Sequence, residues 1–97
     1  MAAWKSAAHL EDHDGDHRRE FPGYTLEQYD ASAQETITIG VRFTFRDRRT
    51  GLARVGYYHR ATARFTIVDA DGFIVSHFRT DEAHVAELDR STYSDEE

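Results

Sequence analysis

The chain has 97 residues, of which 39% are hydrophobic and 31% are charged, a composition that allows one domain with a modest core. It contains no cysteine and no apolar run long enough to span a bilayer, which excludes a disulfide framework, a thiolate metal site and a membrane-spanning protein. No apolar stretch typical of a signal peptide opens the sequence, so a cytoplasmic location is the default expectation.

Charge is unevenly distributed along the sequence. The formal net charge is −6, yet residues 35–80 carry eight arginines against four acidic residues. Residues 1–34 carry three basic and seven acidic side chains, and residues 81–97 carry one and seven. Residues 35–80 are therefore net positive although the whole chain is net negative. Because clustered arginines bind phosphate groups well, this segment is a candidate surface for nucleic acid.

The amino-terminal third predicts two helices. The first is expected over residues 3–11, with Trp4 and Leu10 among its apolar members. Residues 12–16, Asp-His-Asp-Gly-Asp, are expected to end it, because Asp favours turns and caps and Gly weakens a helix interior. A Pro-Gly turn follows, and Thr25 with Gln28 forms a capping box that predicts a second helix over residues 25–35.

The hydrophobic period then changes to that of a strand. Apolar and polar residues alternate from Thr36 to Arg46, which predicts the first strand. After a hairpin loop at residues 47–51, further strands are predicted at residues 52–60, 64–69 and 73–79. Asp81 is suited to cap a final short helix, and residues 90–97 are expected to be a mobile acidic tail.

These elements predict an α+β fold in a single domain, residues 1–97, with a structured core over residues 4–89. Amino-terminal helices would pack on a four-stranded antiparallel β-meander that is followed by a short carboxy-terminal helix. The helices would cover one face of the sheet and leave the other face open with its arginines. Such a face fits a nucleic-acid platform, and it equally fits the ordinary solvated side of a half-buried sheet.

Three histidines near the amino terminus form a notable pattern. His9, His13 and His17 are four residues apart, so they would share one face if a single helix ran through them. With the neighbouring aspartates they would then suit zinc or another divalent metal, whereas an interrupted helix would leave a solvated polar stretch. The run does not match a calcium loop, because His17 occupies the position of the required glycine.

Histidine and arginine also suit metal-independent cleavage of RNA. This reaction needs a base for the 2′-hydroxyl proton, an acid for the leaving 5′-oxygen and a cation beside the phosphorane. The candidate groups are the imidazoles of His13, His17, His59 and His77, the cations of Arg42, Arg46, Arg64 and Arg79, and the hydrogen-bonding side chains of Tyr58, Thr66 and Ser76. Strict alternation along the last strand would place Ile74, Ser76 and Phe78 on one face and Phe73, Val75, His77 and Arg79 on the other.

Two segments of the sequence resemble a known pattern. They read Asp12-His13-x-x-x-His17-x-x-Glu20-Phe21 with Tyr24-Thr25-x-Glu27-x-Tyr29-x-x-x-Ala33, and Tyr58 with Thr62-x-Arg64-Phe65-x-x-x-Asp69-x-Asp71-Gly72-x-Ile74-x-Ser76-x-Phe78-Arg79. In order and spacing, over about residues 10–81, they resemble the opening and closing motifs of small bacterial toxin domains in the barnase–EndoU–colicin–RelE (BECR) ribonuclease group.

The resemblance implies helices on a four-stranded antiparallel sheet and a toxin-like endoribonuclease that needs no metal or other cofactor. It implies RNA, often transfer RNA, as substrate, an immunity or antitoxin protein as partner, and no membrane contact. By position, the catalytic residues would be His13, His17, Ser76 and Arg79. Phosphate or RNA binding is expected from Arg42, Arg46, Arg64, Tyr58 and His77.

The sequence also departs from the motif. Asp16 replaces its lysine, Asp14 its phenylalanine, Arg18 its glycine and Thr80 its closing proline, and of the closing Tyr-Trp signature only Tyr93 lies in the region. Acidic residues where phosphate should bind would weaken cleavage or abolish it, so an alternative function stays open. In that alternative the chain is a catalytically inactive BECR-like module that binds a protein or nucleic acid through its arginine-rich sheet face.

Overall fold

The computed structural model describes residues 2–48 and 50–92, which form three α-helices and one five-stranded mixed sheet. In chain order the elements are β1 (Ala3–Trp4), α1 (Ala7–His17), a 3-10 helix (Arg18–Glu20), α2 (Leu26–Ile39), β2 (Val41–Arg46), β3 (Ala53–His59), β4 (Arg64–Asp69), β5 (Phe73–Arg79) and α3 (Glu82–Thr92). The strand order is β1-β5-β4-β3-β2, antiparallel from β2 to β5. The α+β class is confirmed. The sheet differs from the predicted four-stranded antiparallel meander because β1 pairs with β5 in parallel.

Helix α1 lies further along the chain than the sequence predicts. It begins after Ser6, whose hydroxyl accepts a hydrogen bond from the His9 N–H at 3.0 Å, and it continues through Gly15 to His17. An ion pair one turn apart supports this continuation, since Arg18 Nη2 lies 3.0 Å from Asp14 Oδ2. Capping, this pair and packing against β5 outweigh the helix penalty of Gly15, which is about 1 kcal/mol. All three amino-terminal histidines therefore lie in one helix.

Helix α2 begins as predicted and ends later. Thr25 caps it in the expected capping box with Gln28, but the helix continues to Ile39, so the residues from Thr36 to Ile39 are not a strand. The Thr36 hydroxyl donates to the Ser32 carbonyl at 2.8 Å. Thr36 is fully buried, and Ile37 packs against the core between α2 and the sheet. Burial on this side outweighs the β-propensity of the segment.

Both faces of the sheet carry helices, so the prediction of one open face is wrong. Helix α2 covers one face with a core of buried residues that comprises Trp4, Phe21, Tyr29, Ala33, Val68 and Ile74. On the other face, Val85 and Leu88 of α3 pack against the aromatic layer of Phe45, Tyr58 and Phe65. The Asp81 carboxylate caps α3 as predicted, accepting the His84 N–H at 2.9 Å.

A β-bulge changes which residues of β5 share a face. Ile67 pairs with Ser76, whereas Val68 pairs with Ile74, so Val75 is an extra residue in β5. Ile74 consequently packs in the α2-side core, the side on which the His77 ring lies 5.2 Å from the Tyr29 ring. The predicted grouping of Ile74 with Ser76 is therefore wrong, because strict alternation does not hold across a bulge.

Gly56 of β3 lies beneath the aromatic layer, where a side chain has no room. A Cβ at this position would lie 2.7 Å from Phe65 Cε1 and 2.9 Å from Phe43 Cζ. We expect Gly56→Ala to lower the free energy of unfolding by about 1–3 kcal/mol through overpacking. A Cβ on Gly15 would meet nothing within 4 Å, so Gly15→Ala should raise stability by up to about 1 kcal/mol. Urea denaturation measures both changes, and equal effects would contradict this packing argument.

The carboxy-terminal helix extends past the predicted end of the core. Helix α3 reaches Thr92, while residues 93–97, which include Tyr93 and most of the expected acidic tail, lie outside the described residues. Within the described part of the chain, no helix has the length and apolar character needed to cross a membrane.

Candidate active site

Three imidazoles form a row along one face of α1. We call His9, His13 and His17 the histidine stripe; its successive ring centroids are 4.7 Å and 5.9 Å apart. The four-residue spacing places each ring about one turn from the next. The stripe lies against β5: His9 Nε2 is 3.0 Å from the Val75 carbonyl oxygen, and the His17 ring stacks on Phe78 at 5.4 Å.

His9 and His13 of the stripe line a cleft of about 540 Å³, which we call the histidine cleft; His17 is not part of its lining. Among the side chains that line it are Lys5, His9, His13, Arg54, Asp71 and Ser76. Of the four predicted catalytic residues, the cleft thus brings together His13 and Ser76. The first belongs to α1 and the second to β5, so only tertiary packing makes them neighbours.

The other two predicted catalytic residues, His17 and Arg79, do not line this cleft and are connected to each other through Glu20. His17 Nδ1 lies 3.0 Å from Glu20 Oε2, and Glu20 Oε1 accepts the backbone N–H of Arg79 at 2.8 Å. The Arg79 guanidinium lies over the Phe21 ring, 5.0 Å from its centroid. Arg79 therefore contacts the site through its backbone, while its charge lies on the other face of β5 from Ser76.

The surroundings of His13 change its acidity. Burial lowers its pKa below the ordinary value of 6.5, and the neighbouring His9 and His17 lower it further, against the opposite influence of Asp16 and Asp12. Its Nδ1 is buried without a hydrogen-bond partner among the described residues. Because an imidazolium would need an acceptor for that N–H, the neutral ring is favoured.

The perturbation of His13 is directly measurable. We expect its NMR titration midpoint to lie below 6.5, and we expect His9→Gln to raise it by removing a neighbouring positive charge at low pH. His59→Gln should leave the midpoint unchanged, since His59 lies outside the stripe and bonds Thr62 Oγ1 at 2.7 Å. A wild-type midpoint at or above 6.5 would contradict the burial argument.

Acidic side chains offset the cations of the histidine cleft. Lys5 Nζ lies 3.4 Å from Asp69 Oδ2, and Arg54 Nε lies 3.9 Å from Asp47 Oδ2. Asp71 adds a third carboxylate to the lining. Apart from its histidines, the cleft thus has two cations, Lys5 and Arg54, against three carboxylates, which weakens its attraction for phosphate.

The residues predicted to bind phosphate or RNA do not form one patch. Arg42 and Arg46 are exposed on β2, at the opposite edge of the sheet from the stripe. Arg64 is buried, with Nη1 at 2.8 Å from Glu35 Oε1 and at 3.0 Å from Ser32 Oγ. Tyr58 is also buried, and its hydroxyl donates to the Thr80 carbonyl at 3.3 Å.

His77 is a core residue in this fold. Its ring has no exposed surface, and its nitrogens are 2.7 Å from Thr66 Oγ1 and 3.0 Å from Ser32 Oγ. Burial, followed by the charge of Arg64, lowers the pKa of His77 to about 3. The ring stacks on Phe21 at 5.0 Å. His77 therefore offers no surface to a ligand.

Several side chains of the site are absent from the sequence-based set of catalytic and binding residues. The sequence predicts a role for His9 only as a metal ligand, although its spacing from His13 places it on the same helix face. Lys5 and Arg54 carry no local signal as functional residues, and Glu20 belongs to the opening motif without a predicted role. Their place in the site depends on how the segment from Lys5 to Glu20 packs on the sheet, whose strand order puts β4 between β5 and β3.

The alternative prediction for the histidine stripe is a site for zinc or another divalent metal. Across residues 2–48 and 50–92, no group of three or more histidine, aspartate or glutamate side chains is arranged to hold a metal ion. In the histidine stripe the rings lie side by side along the helix.

Comparisons with known proteins give no family for this chain. No protein-family model matches it, and no curated protein matches it. Its function must therefore be inferred from the chemistry of the histidine cleft.

Proposed function

We propose that this chain is a metal-independent endoribonuclease whose acid–base pair is His13 and His17. The observation that carries the proposal is the position of these imidazoles, 5.9 Å apart, with His13 in one cleft with Ser76. One ring is held neutral by its surroundings, and the other is bonded to a carboxylate. The resemblance of the sequence to BECR ribonucleases supports the same reaction.

The environments of the two rings assign their roles. His13, neutral near pH 7, accepts the 2′-hydroxyl proton. The 2′-oxygen then bonds to phosphorus as the bond from phosphorus to the 5′-oxygen breaks. His17, held by Glu20 at Nδ1, donates a proton to the leaving oxygen. The products are a 2′,3′-cyclic phosphate and a 5′-hydroxyl.

Ser76 and the cleft cations would hold the phosphate in this proposal. The Ser76 hydroxyl and the side chains of Lys5 and Arg54 all line the histidine cleft. Arg79, whose guanidinium lies over Phe21, acts as a positioning residue: its backbone N–H fixes Glu20 and thereby His17.

The carboxylates of the cleft predict weak substrate binding that one substitution should improve. Asp71 is exposed and lines the cleft, and no cation of the described residues pairs with it as Lys5 pairs with Asp69 and Arg54 with Asp47. We expect Asp71→Asn to lower the KM for RNA at low salt, because it removes repulsion of the phosphate backbone. The gain should disappear at high salt. An unchanged KM at low salt would contradict phosphate binding in this cleft.

The direct test is incubation of the purified chain with total RNA in EDTA. We expect cleavage that leaves 2′,3′-cyclic phosphate ends, which resist ligation until the cyclic phosphate is removed. His17→Ala, purified in parallel, controls for contaminating nucleases. Intact RNA at high protein concentration would reject the nuclease and favour the alternative, a BECR-like binding module without catalysis.

A further inference from the structure

The two edges of the sheet differ in whether other parts of the chain bond to their main-chain groups. At the β5 edge, β1 pairs with Phe73 and Ile74, and side chains of α1 and the 3-10 helix bond the main chain beyond them. His9 bonds the Val75 carbonyl at 3.0 Å, and Glu20 accepts the Arg79 N–H at 2.8 Å. This edge is therefore closed by the protein itself.

The opposite edge is strand β2, which pairs with β3 on its inner side only, within the described residues. Val41 is 73% exposed, and Arg42, Thr44 and Arg46 are exposed as well. Helix α3 packs on one face of β2 and leaves its edge uncovered. An edge strand of this kind presents unpaired main-chain N–H and C=O groups to an incoming strand.

Side chains on the β2 edge alternate in chemistry as well as in direction. Arg42, Thr44 and Arg46 lie on the α2 side, while Val41, Phe43 and Phe45 continue the apolar layer on the α3 side. Arg46 Nη1 donates to the Gly51 carbonyl at 2.6 Å, which holds that guanidinium at the end of the strand. A strand added here would meet a basic row on one face and an apolar row on the other.

We propose that the β2 edge is a docking site for an extended acidic segment of a partner protein, which adds to the sheet as a sixth strand. Carboxylates at alternate positions of that segment would lie across from Arg42 and Arg46, and apolar residues between them would cover Val41. Charge complementarity selects this occupant, because opposite charges on neighbouring strands attract and like charges repel. The proposal does not depend on the nuclease activity.

Two other occupants fit the β2 edge less well. Pairing of β2 with β2 of a second copy would bring two arginine rows side by side on one face, which is unfavourable. Arginines on an edge strand oppose such self-association. RNA would engage the arginines through phosphates but would leave Val41 and the main-chain groups of the edge without partners.

The probe is a fluorescein-labelled octapeptide in which valine and glutamate alternate, acetylated and amidated at its ends. We expect binding to the full chain that becomes at least about tenfold weaker in Arg42→Glu/Arg46→Glu, because two attractive pairs become repulsive. The matched control is Arg19→Glu/Arg60→Glu, which makes the same charge change at exposed residues elsewhere and should bind normally. If the first variant fails to fold by circular dichroism, Arg42→Gln/Arg46→Gln replaces it.

Hydrogen exchange distinguishes strand addition from simple charge attraction. The peptide should protect main-chain amides of β2, and a peptide methylated at alternate amide nitrogens should not bind. The proposal is overturned by absence of binding at millimolar peptide, by equal binding to both charge variants, or by equal binding of the methylated peptide. Protection of β2 that grows with protein concentration alone would instead identify a second copy. Protection by an RNA oligonucleotide without peptide binding would also overturn it.

Discussion

His17→Ala is expected to reduce RNA cleavage by about 10²–10⁴-fold, the usual contribution of a positioned acid or base. The substitution removes the ring that lies 5.9 Å from His13 and the group that Glu20 holds at Nδ1. Initial rates on a fluorogenic oligoribonucleotide measure the loss. Added imidazole should restore part of the rate, because it can occupy the space of the deleted ring and donate the missing proton.

Two further variants separate this role from general damage to the fold. His59→Ala removes a histidine that bonds Thr62 outside the cleft, and it should cleave like the wild type. Glu20→Gln keeps an oxygen for the Arg79 N–H but removes the charge beside His17, so its rate should lie between those of wild type and His17→Ala. Wild-type cleavage by His17→Ala, with a normal circular dichroism spectrum, would show that the reaction occurs elsewhere.

The second large effect concerns acid stability and arises from His77. Its folded-state pKa of about 3 lies below the ordinary value of 6.5, so between these values the unfolded chain binds the proton and the folded chain does not. The neutral, buried His77 ring therefore stabilises the fold fully above pH 6.5, and this contribution is lost as the pH falls toward 3. We expect the free energy of unfolding to be about 2–3 kcal/mol lower at pH 4.5 than at pH 7, which is large for a domain of this size.

Urea denaturation at the two pH values measures this dependence. His77→Gln should be less stable than the wild type at pH 7, and its stability should differ much less between pH 7 and pH 4.5. A small difference between the two pH values should remain because the lowered pKa of His13 acts in the same direction. His84→Gln, at an exposed position, should keep the wild-type difference. The His77 ring nitrogens should also show neutral-imidazole chemical shifts at pH 4.5. A charged ring in the folded protein at that pH would contradict its burial.

Local sequence signals located most elements because short-range interactions determine them. The capping box of Thr25 and Gln28 fixes the start of α2, and the boundaries of β4 and β5 agree with the alternation of apolar residues. The misplaced boundaries have a common cause. Gly15 in α1 and Thr36 in α2 oppose a helix locally, and packing against the sheet overrides that preference.

The candidate site was only partly visible in the sequence. Spacing placed His9, His13 and His17 on one face once a helix was allowed, but it gave no information on what that face would contact. The bulge at Val75 decided which β5 side chains face the cleft, and alternation along one strand cannot reveal an extra residue in its pairing. The sequence predicts that Arg64 and His77 bind phosphate or RNA at the surface, yet the fold buries both.

By itself, the sequence determined the fold class, the order of most helices and strands, and the helical spacing of the histidines, because these depend on neighbours a few residues apart. Only the tertiary structure decided that α3 covers the second face of the sheet, that Ser76 and His13 share a cleft, and that β2 is an unpaired edge within residues 2–48 and 50–92. Each of these results depends on contacts between residues distant in the chain, whose free energy comes from burial and from satisfying main-chain hydrogen bonds in three dimensions.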